Sequence, residues 1–162
     1  MAVARNGDTE IYYDTFGSPG DPTLLMVNGL GSQCINYAED WCAAYVAAGL
    51  HVVRFDNRDV GLSTHFTGAP VGAANECYRL SDMSDDAFAV LDAVDVDAAH
   101  IMGLSMGGMI VQTMAIEHPA RVLTMTSVMS RTGEDGYGAS SPEAYAQLTG
   151  SPATDRADAI ER

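Results

Sequence analysis

Short apolar segments recur along the chain, and longer segments with a different spacing separate them. Residues 23–27 and 51–55 are largely apolar over their whole length, which is typical of strands buried on both faces of a sheet. Residues 11–16 are rich in β-branched and aromatic side chains and predict another strand. Two further apolar runs complete the set of predicted strands, at residues 101–102 and 122–128.

The segments between these strands have the length and apolar spacing of helices. Residues 38–48 are followed by a glycine that stops a helix, and residues 106–118 are followed by a proline. Residues 80–94 repeat apolar side chains at helical intervals. Because short strands alternate with helices, the sequence predicts an α/β fold whose sheet is mostly parallel and doubly wound, with helices on both faces.

The pattern changes after residue 130, where Gly, Ser, Pro and Thr become frequent and strand signals stop. We therefore expect residues 1–130 to form one core and residues 131–162 to form a separate segment, with short helices at 142–149 and 154–162. The last of these helices has no stop signal, so we expect a truncated or cleaved polypeptide. The polar stretch 150–162 is the expected nicking site.

Composition excludes several classes of function. The chain has 162 residues, and its 22 acidic against 8 basic side chains give a net charge of −14. Such a chain should repel nucleic acid and anionic lipid, although acidity also serves simply to keep proteins in solution. The three cysteines fit no zinc motif or disulfide framework, and neither a signal peptide nor a membrane span is evident. We expect a cytoplasmic protein.

The clearest chemical signal is the motif Gly-x-Ser-x-Gly formed by Gly103, Ser105 and Gly107. A strand is predicted before it and a helix after it, so Ser105 lies on a sharp turn that lifts its hydroxyl above the sheet. Side chains at the two glycines would collide with the neighbouring strand and helix. We predict a nucleophile elbow in which Ser105 attacks an ester carbonyl and forms an acyl-enzyme.

An oxyanion needs two backbone donors, and the sequence offers candidates for both. The N–H of Met106 begins the helix after the motif, where the helix dipole favours negative charge. The second donor should be the N–H of Leu30 or Gly29, in the loop after the strand 23–27. The competing interpretation of this glycine-containing loop is a flexible turn, and a phosphate-binding loop fits the spacing less well.

The segment 56–63 is dense in charge and follows a predicted strand. We interpret it as an ion-paired turn that braces its loop rather than as catalytic machinery. Arg58 could pair with Asp56 or Asp59.

None of the four histidines makes a convincing base for Ser105. His118 would lie roughly 20 Å away along the helix. His51 and His100 begin their strands and so lie at the opposite edge of the sheet. His65 is on the correct side, but a solvated loop histidine explains it better. We therefore expect the histidine and its orienting acid to lie outside this chain.

Four segments together resemble a known family, and they extend the similarity over most of residues 9–130. They are residues 24–31, 54–63, 100–108 and 117–122. The chain is similar to the N-terminal half of α/β-hydrolase-fold serine esterases, in the subgroup of aclacinomycin methylesterase-like and haloperoxidase-like enzymes. Many members have His-Gly where this chain has Asn28 and Gly29. Members carry the acid and histidine after later strands.

The resemblance implies Ser105 as nucleophile, with Met106 and the Gly29 and Leu30 region as oxyanion hole. It also implies a helical lid that starts within 131–162, and neither a metal nor an organic cofactor. We expect a carboxylic ester hydrolase acting on a small-molecule ester, completed by a C-terminal fragment as a second chain and inactive without it. A homo-oligomer is compatible with the sequence. The alternatives are a non-catalytic protein that binds a small ligand on this fold, and an enzyme that carries out perhydrolysis.

Overall fold

The computed structural model of the protein describes residues 2–67, 77–134 and 136–148. Its strands and helices follow the alternation expected from the sequence, and two short 3-10 turns lie at Cys34–Asn36 and Pro119–Arg121. The elements are β1 (Ala2–Asn6), β2 (Thr9–Phe16), β3 (Thr23–Val27), α1 (Glu39–Ala47), β4 (His51–Phe55), α2 (Leu80–Ala93), β5 (Ala99–Leu104), α3 (Met106–Glu117), β6 (Val122–Val128) and α4 (Pro142–Leu148).

Six strands form one sheet in the order β1-β2-β4-β3-β5-β6. The last four in this order are parallel to one another, whereas β2 runs antiparallel to both β1 and β4. The predicted, mostly parallel α/β sheet is therefore confirmed. The sequence pattern does not predict strand β1, because Ala4 is the single buried residue of this short edge strand.

Helices cover both faces of the sheet, as predicted. On one face, α2 and α3 pack on the larger apolar cluster, which includes Leu25 and Phe55. On the other face, Cys42 of α1 joins Met26 and Val52 in the smaller cluster. Strands β3 and β4 are buried at every position. The loops that follow their carboxyl ends therefore start from well-packed strands.

Strand β6 is much more exposed than the central strands. It pairs with β5 on one side, and among the described residues no strand pairs with its other side. Leu123 is 55 % exposed and Met125 is 43 % exposed. An uncovered strand with apolar side chains offers both backbone hydrogen bonds and apolar surface to another polypeptide.

The contacts divide the chain into a unit of residues 1–132 and a unit of residues 133–162. The second unit contains α4 (Pro142–Leu148), which matches the described part of the helix expected at 142–149. The expected helix at 154–162 and nicking site at 150–162 lie outside the described residues, and the lid remains a prediction. In the described ranges, no helix has the length and apolar character needed to cross a membrane.

Candidate active site

Ser105 occupies the sharp turn between β5 and α3. Its backbone has φ 55° and ψ −119°, a conformation that non-glycine residues rarely adopt. Two hydrogen bonds hold this turn: the Ser105 N–H donates to Val128 O at 2.9 Å, and the Gly108 N–H donates to Ser105 O at 2.9 Å. The residue is exposed, so its hydroxyl can be reached from solvent.

The glycines of the motif allow this turn to pack tightly. A Cβ added to Gly103 would overlap the carbonyl oxygen of Gly107 and would lie 2.6 Å from the backbone nitrogen of Gly108. A Cβ added to Gly107 would overlap Val27 O and lie 2.7 Å from Asn28 O. The predicted collisions are therefore confirmed. The two glycines allow β5, α3 and the end of β3 to pack in direct backbone contact.

The loop after β3 lies directly against Ser105. A Cβ added to Gly29 would lie 3.2 Å from the Ser105 Cβ and 3.7 Å from the Ser105 Oγ. Leu30 follows and is exposed, and Met106 is the first residue of α3. The structure thus places Gly29 against Ser105, with Leu30 and Met106 next to these two residues in the chain.

Several hydrogen bonds from buried side chains hold this loop in place. The buried Asn57 side chain donates through Nδ2 to Asn28 O at 2.9 Å, and Tyr37 Oη donates to Val27 O at 2.9 Å. Asn28 itself is buried and donates through Nδ2 to Gln33 O at 2.9 Å. The loop is therefore braced along its length, which disfavours the flexible-turn interpretation.

Asp56 joins this loop to the loop after β4. Its Oδ1 accepts a hydrogen bond from the Cys34 N–H at 2.7 Å, and its Oδ2 accepts one from the Leu62 N–H at 2.9 Å. Its backbone oxygen accepts from Ser63 Oγ at 2.5 Å. Both carboxylate oxygens therefore serve the backbone, in keeping with the predicted bracing role of this segment.

Arg58 does not pair with Asp56 or Asp59, so the predicted pairing is wrong. It donates to Asp86 of α2, through Nε at 2.6 Å and a second nitrogen at 2.8 Å. Burial is the largest single influence and opposes the charge, but the hydrogen bond and the charge of Asp86, together with the nearby Asp82, outweigh it and raise the pKa of Arg58. The carboxylate of Asp56 is already occupied, whereas that of Asp86 projects from a helix far away in sequence.

A cleft of about 310 Å³ opens between the loop after β3 and the loop after β4. Its walls are mostly apolar, with Ile35 and Leu62 on the two loops and Tyr12 on β2. Both loops follow the carboxyl ends of parallel strands, as Ser105 does. The cleft therefore lies at the sheet edge where α/β proteins bind ligands.

The four histidines all have other partners. His51 is buried and its Nδ1 lies 3.1 Å from Thr23 Oγ1, while His100 Nδ1 lies 2.8 Å from Thr124 Oγ1. His118 follows the last residue of α3, at the opposite end of that helix from Ser105. The remaining ring, His65, is exposed and its Nε2 donates to Gly61 O at 3.2 Å.

The cysteines differ from one another in accessibility. Cys34 and Cys42 are buried and Cys77 is exposed, and all three are free thiols. Burial and the neighbouring Asp56 carboxylate raise the pKa of Cys34 to about 12, which keeps it a thiol. Within 2–67, 77–134 and 136–148, no group of three or more His, Cys, Asp and Glu side chains is placed to hold a metal ion.

Comparison with known proteins gives consistent results. A family model described as alpha/beta hydrolase fold matches residues 22–155. The chain is 32 % identical over 127 residues to rhodomycin D methylesterase DnrP of Streptomyces peucetius, covering 78 % of this chain and 41 % of that protein. It is 32 % identical over 114 residues to 3-oxoadipate enol-lactonase 2 of Acinetobacter baylyi, covering 70 % of this chain and 39 % of that enzyme.

A solved structure shares both fold and sequence with the chain. The enol-lactonase of Burkholderia xenovorans LB400 superimposes with a TM-score of 0.68 at 26 % identity, over 80 % of this chain and 46 % of that one. The chain thus spans less than half the length of these relatives, in agreement with the predicted resemblance to the N-terminal part of such enzymes. The chain belongs to the α/β-hydrolase fold family, among relatives that include esterases.

Proposed function

We propose that the protein is a serine hydrolase that cleaves carboxylic esters through an acyl-enzyme on Ser105. The observation that carries this proposal is the strained backbone of Ser105 at the start of α3, with Gly29 packed against its side chain. The N–H of Met106 and the N–H of Leu30 or Gly29 form the proposed oxyanion hole. The positive end of the α3 dipole adds to their stabilisation of negative charge.

In the proposed reaction, Ser105 Oγ attacks the ester carbonyl while a histidine takes its proton. The tetrahedral oxyanion collapses, the bond to the alcohol breaks, and the histidine returns the proton to the departing alkoxide. Water then attacks the acyl-enzyme with the same histidine as base, which releases the acid and restores the serine. This chemistry uses neither a metal nor an organic cofactor.

We place the histidine and its orienting acid in polypeptide beyond these 162 residues, as a C-terminal fragment that forms a second chain. Three observations support this arrangement. The described histidines are engaged elsewhere, the relatives are more than twice as long, and β6 leaves Leu123 and Met125 open for further structure. A chain without its complement should lack esterase activity, and two copies of the complete assembly could associate.

The substrate in this proposal is a small ester with an apolar portion. The relatives are named for methyl ester and enol-lactone hydrolysis, and both are reactions at a carboxylic ester. The cleft beside the candidate oxyanion loop has apolar walls at Ile35 and Leu62. We further propose that residues 131–162 begin the lid over this site.

The free cysteines favour the cytoplasm as the location of the protein.

A fluorophosphonate probe tests the enzymatic proposal. In the native assembly the probe should add its mass to Ser105, and Ser105→Ala should abolish the label. The matched control is Ser32→Ala, which removes another serine hydroxyl from the loop after β3. This variant should label normally. Unlabelled Ser105 in an intact assembly that retains a small apolar ligand would favour the alternative, a non-catalytic binding protein. That alternative draws on the engagement of the histidines elsewhere.

The proposed partner has a direct test of its own. Mass spectrometry of the native protein should give a larger mass under non-denaturing conditions than under denaturing ones. A single species of unchanged mass would contradict the second chain. Strong ester hydrolysis by purified residues 1–162 would also contradict it, and would make His65 the candidate base.

A further inference from the structure

The two candidate donors Gly29 and Leu30 belong to peptide groups whose directions are set from their carbonyl sides. A trans peptide is planar, so its N–H points opposite to its C=O. No cis peptide bond is present in the described chain. Whatever holds the oxygen of Asn28 therefore also aims the N–H of Gly29, and whatever holds the oxygen of Gly29 aims the N–H of Leu30.

The oxygen of Asn28 is held by Asn57. The Asn57 Nδ2 donates to it at 2.9 Å, and both residues are 1 % exposed. The same oxygen faces Gly107, where an added Cβ would come within 2.7 Å of it. Because the carbonyl points into the protein between these two groups, the N–H of Gly29 points away from them.

The neighbouring peptides are held in the same way. Tyr37 Oη donates to Val27 O at 2.9 Å, and the Ser32 N–H closes a turn on Gly29 O at 3.3 Å. The turn on Gly29 O sets the direction of the Leu30 N–H. Of these three contacts to carbonyl oxygens, the one from Asn57 alone joins the loop after β3 to the loop after β4.

We propose that Asn57 is a positioning residue that aims the Gly29 amide of the proposed oxyanion hole by holding the Asn28 carbonyl. This proposal rests on the proposed function, since it assigns a catalytic purpose to the Gly29 amide. Asn57 itself touches no substrate. It acts through the peptide plane, so its loss should slow acylation of Ser105 while substrate binding is unchanged.

The first test is hydrogen exchange in the 162-residue chain with Asn57→Leu. This change keeps a side chain of similar size but leaves the buried Asn28 carbonyl without its donor. The Ser32 amide, which reports on the turn at Gly29, should exchange about tenfold faster or more. The matched control is Thr23→Val, which removes one buried hydrogen bond, to His51, at the opposite end of β3. It should leave the Ser32 amide unchanged.

The second test is the rate of fluorophosphonate labelling in the native assembly. Asn57→Leu should lower the maximal rate about 10- to 100-fold, which is less than the loss of an oxyanion donor itself. The probe concentration at half-maximal rate should stay within about twofold, as should both parameters in Thr23→Val. A merely structural role would lower labelling in both variants alike, in proportion to the folded fraction, and would overturn the proposal.

A second variant guards against failure of Asn57→Leu to fold. Asn57→Ser keeps a small polar side chain at this buried position but removes the Nδ2 group that donates to Asn28 O. It should produce the same two effects, and unchanged exchange and labelling in a folded Asn57→Ser chain would contradict the proposal. If wild-type Ser105 takes no label, the proposed function fails. Hydrogen exchange would then still decide whether Asn57 holds the loop.

Discussion

The ion pair between Arg58 and Asp86 makes a quantitative prediction about how the loop after β4 is held. Both side chains are buried, with exposures of 6 % for Arg58 and 1 % for Asp86. Asp86 also accepts a hydrogen bond from Asn6 Nδ2 at 2.9 Å. The substitution Asp86→Asn keeps the size of the side chain but removes its charge, which leaves the guanidinium buried without the carboxylate that pairs with it.

The cost should be large, because a single charge remains in a poorly solvated place. Breaking one partner of a buried ion pair destabilises a protein by about 3–5 kcal/mol. The matched control is Asp92→Asn, which breaks the pair between Arg121 and Asp92, where the exposures are 28 % and 64 %. Solvent screens this pair, so its loss should cost at most about 1 kcal/mol.

Urea unfolding of the two variants and the parent chain measures the difference. With a slope of about 2 kcal/mol/M, the midpoint should fall by roughly 2 M for Asp86→Asn and by less than about 0.5 M for Asp92→Asn. Equal, small shifts in both variants would refute the view that Arg58 braces its loop to α2. A loss of esterase activity in Asp86→Asn at unchanged stability would instead place Arg58 in the catalytic machinery.

Three further predictions concern other parts of the chain. Gly103→Ala should cost more than about 3 kcal/mol in thermal unfolding because its Cβ would overlap backbone, whereas Gly20→Ala, with 3.8 Å to its nearest neighbour, should cost little. Burial lowers the pKa of His51 below 6.5, so the unfolded chain takes up this proton first as pH falls. Stability should therefore rise with pH from the folded pKa of His51 to about 6.5, and His51→Gln should flatten this slope in unfolding curves at several pH values. A dithiobisnitrobenzoate titration at about pH 8 should modify Cys77 alone in the native chain, since Cys34 with its pKa of about 12 stays protonated, and all three thiols after unfolding.

The sequence predicted the central strands well because each one is a run of consecutive, mostly apolar residues that are all buried. Thr23–Val27 and His51–Phe55 are buried throughout, and both were predicted with their observed limits. Strand β1 has no such signal, since it owes its place to pairing with β2 rather than to its own apolar residues. Helix ends were accurate to within about one residue because glycine and proline mark them.

The arrangement around Ser105 was predictable for the same reason, namely that its motif is local. The supports around it were not, because they are contacts between residues far apart in sequence. Asn57 holds a carbonyl 29 positions away, and Arg58 pairs with a carboxylate 28 positions away. Sequence proximity favoured Asp56 and Asp59 as partners of Arg58, but it cannot reveal that backbone amides already occupy Asp56.

The proposed function depends on acylation of Ser105 with a base that another polypeptide supplies. The most direct measurement is the burst of p-nitrophenol released from a p-nitrophenyl ester by the native assembly. We expect a burst of one equivalent per Ser105 from the native assembly, none with Ser105→Ala, and none with the 162-residue chain alone. A full burst from the Ser105→Ala assembly would contradict the nucleophile, and a full burst from the chain alone would contradict the external base.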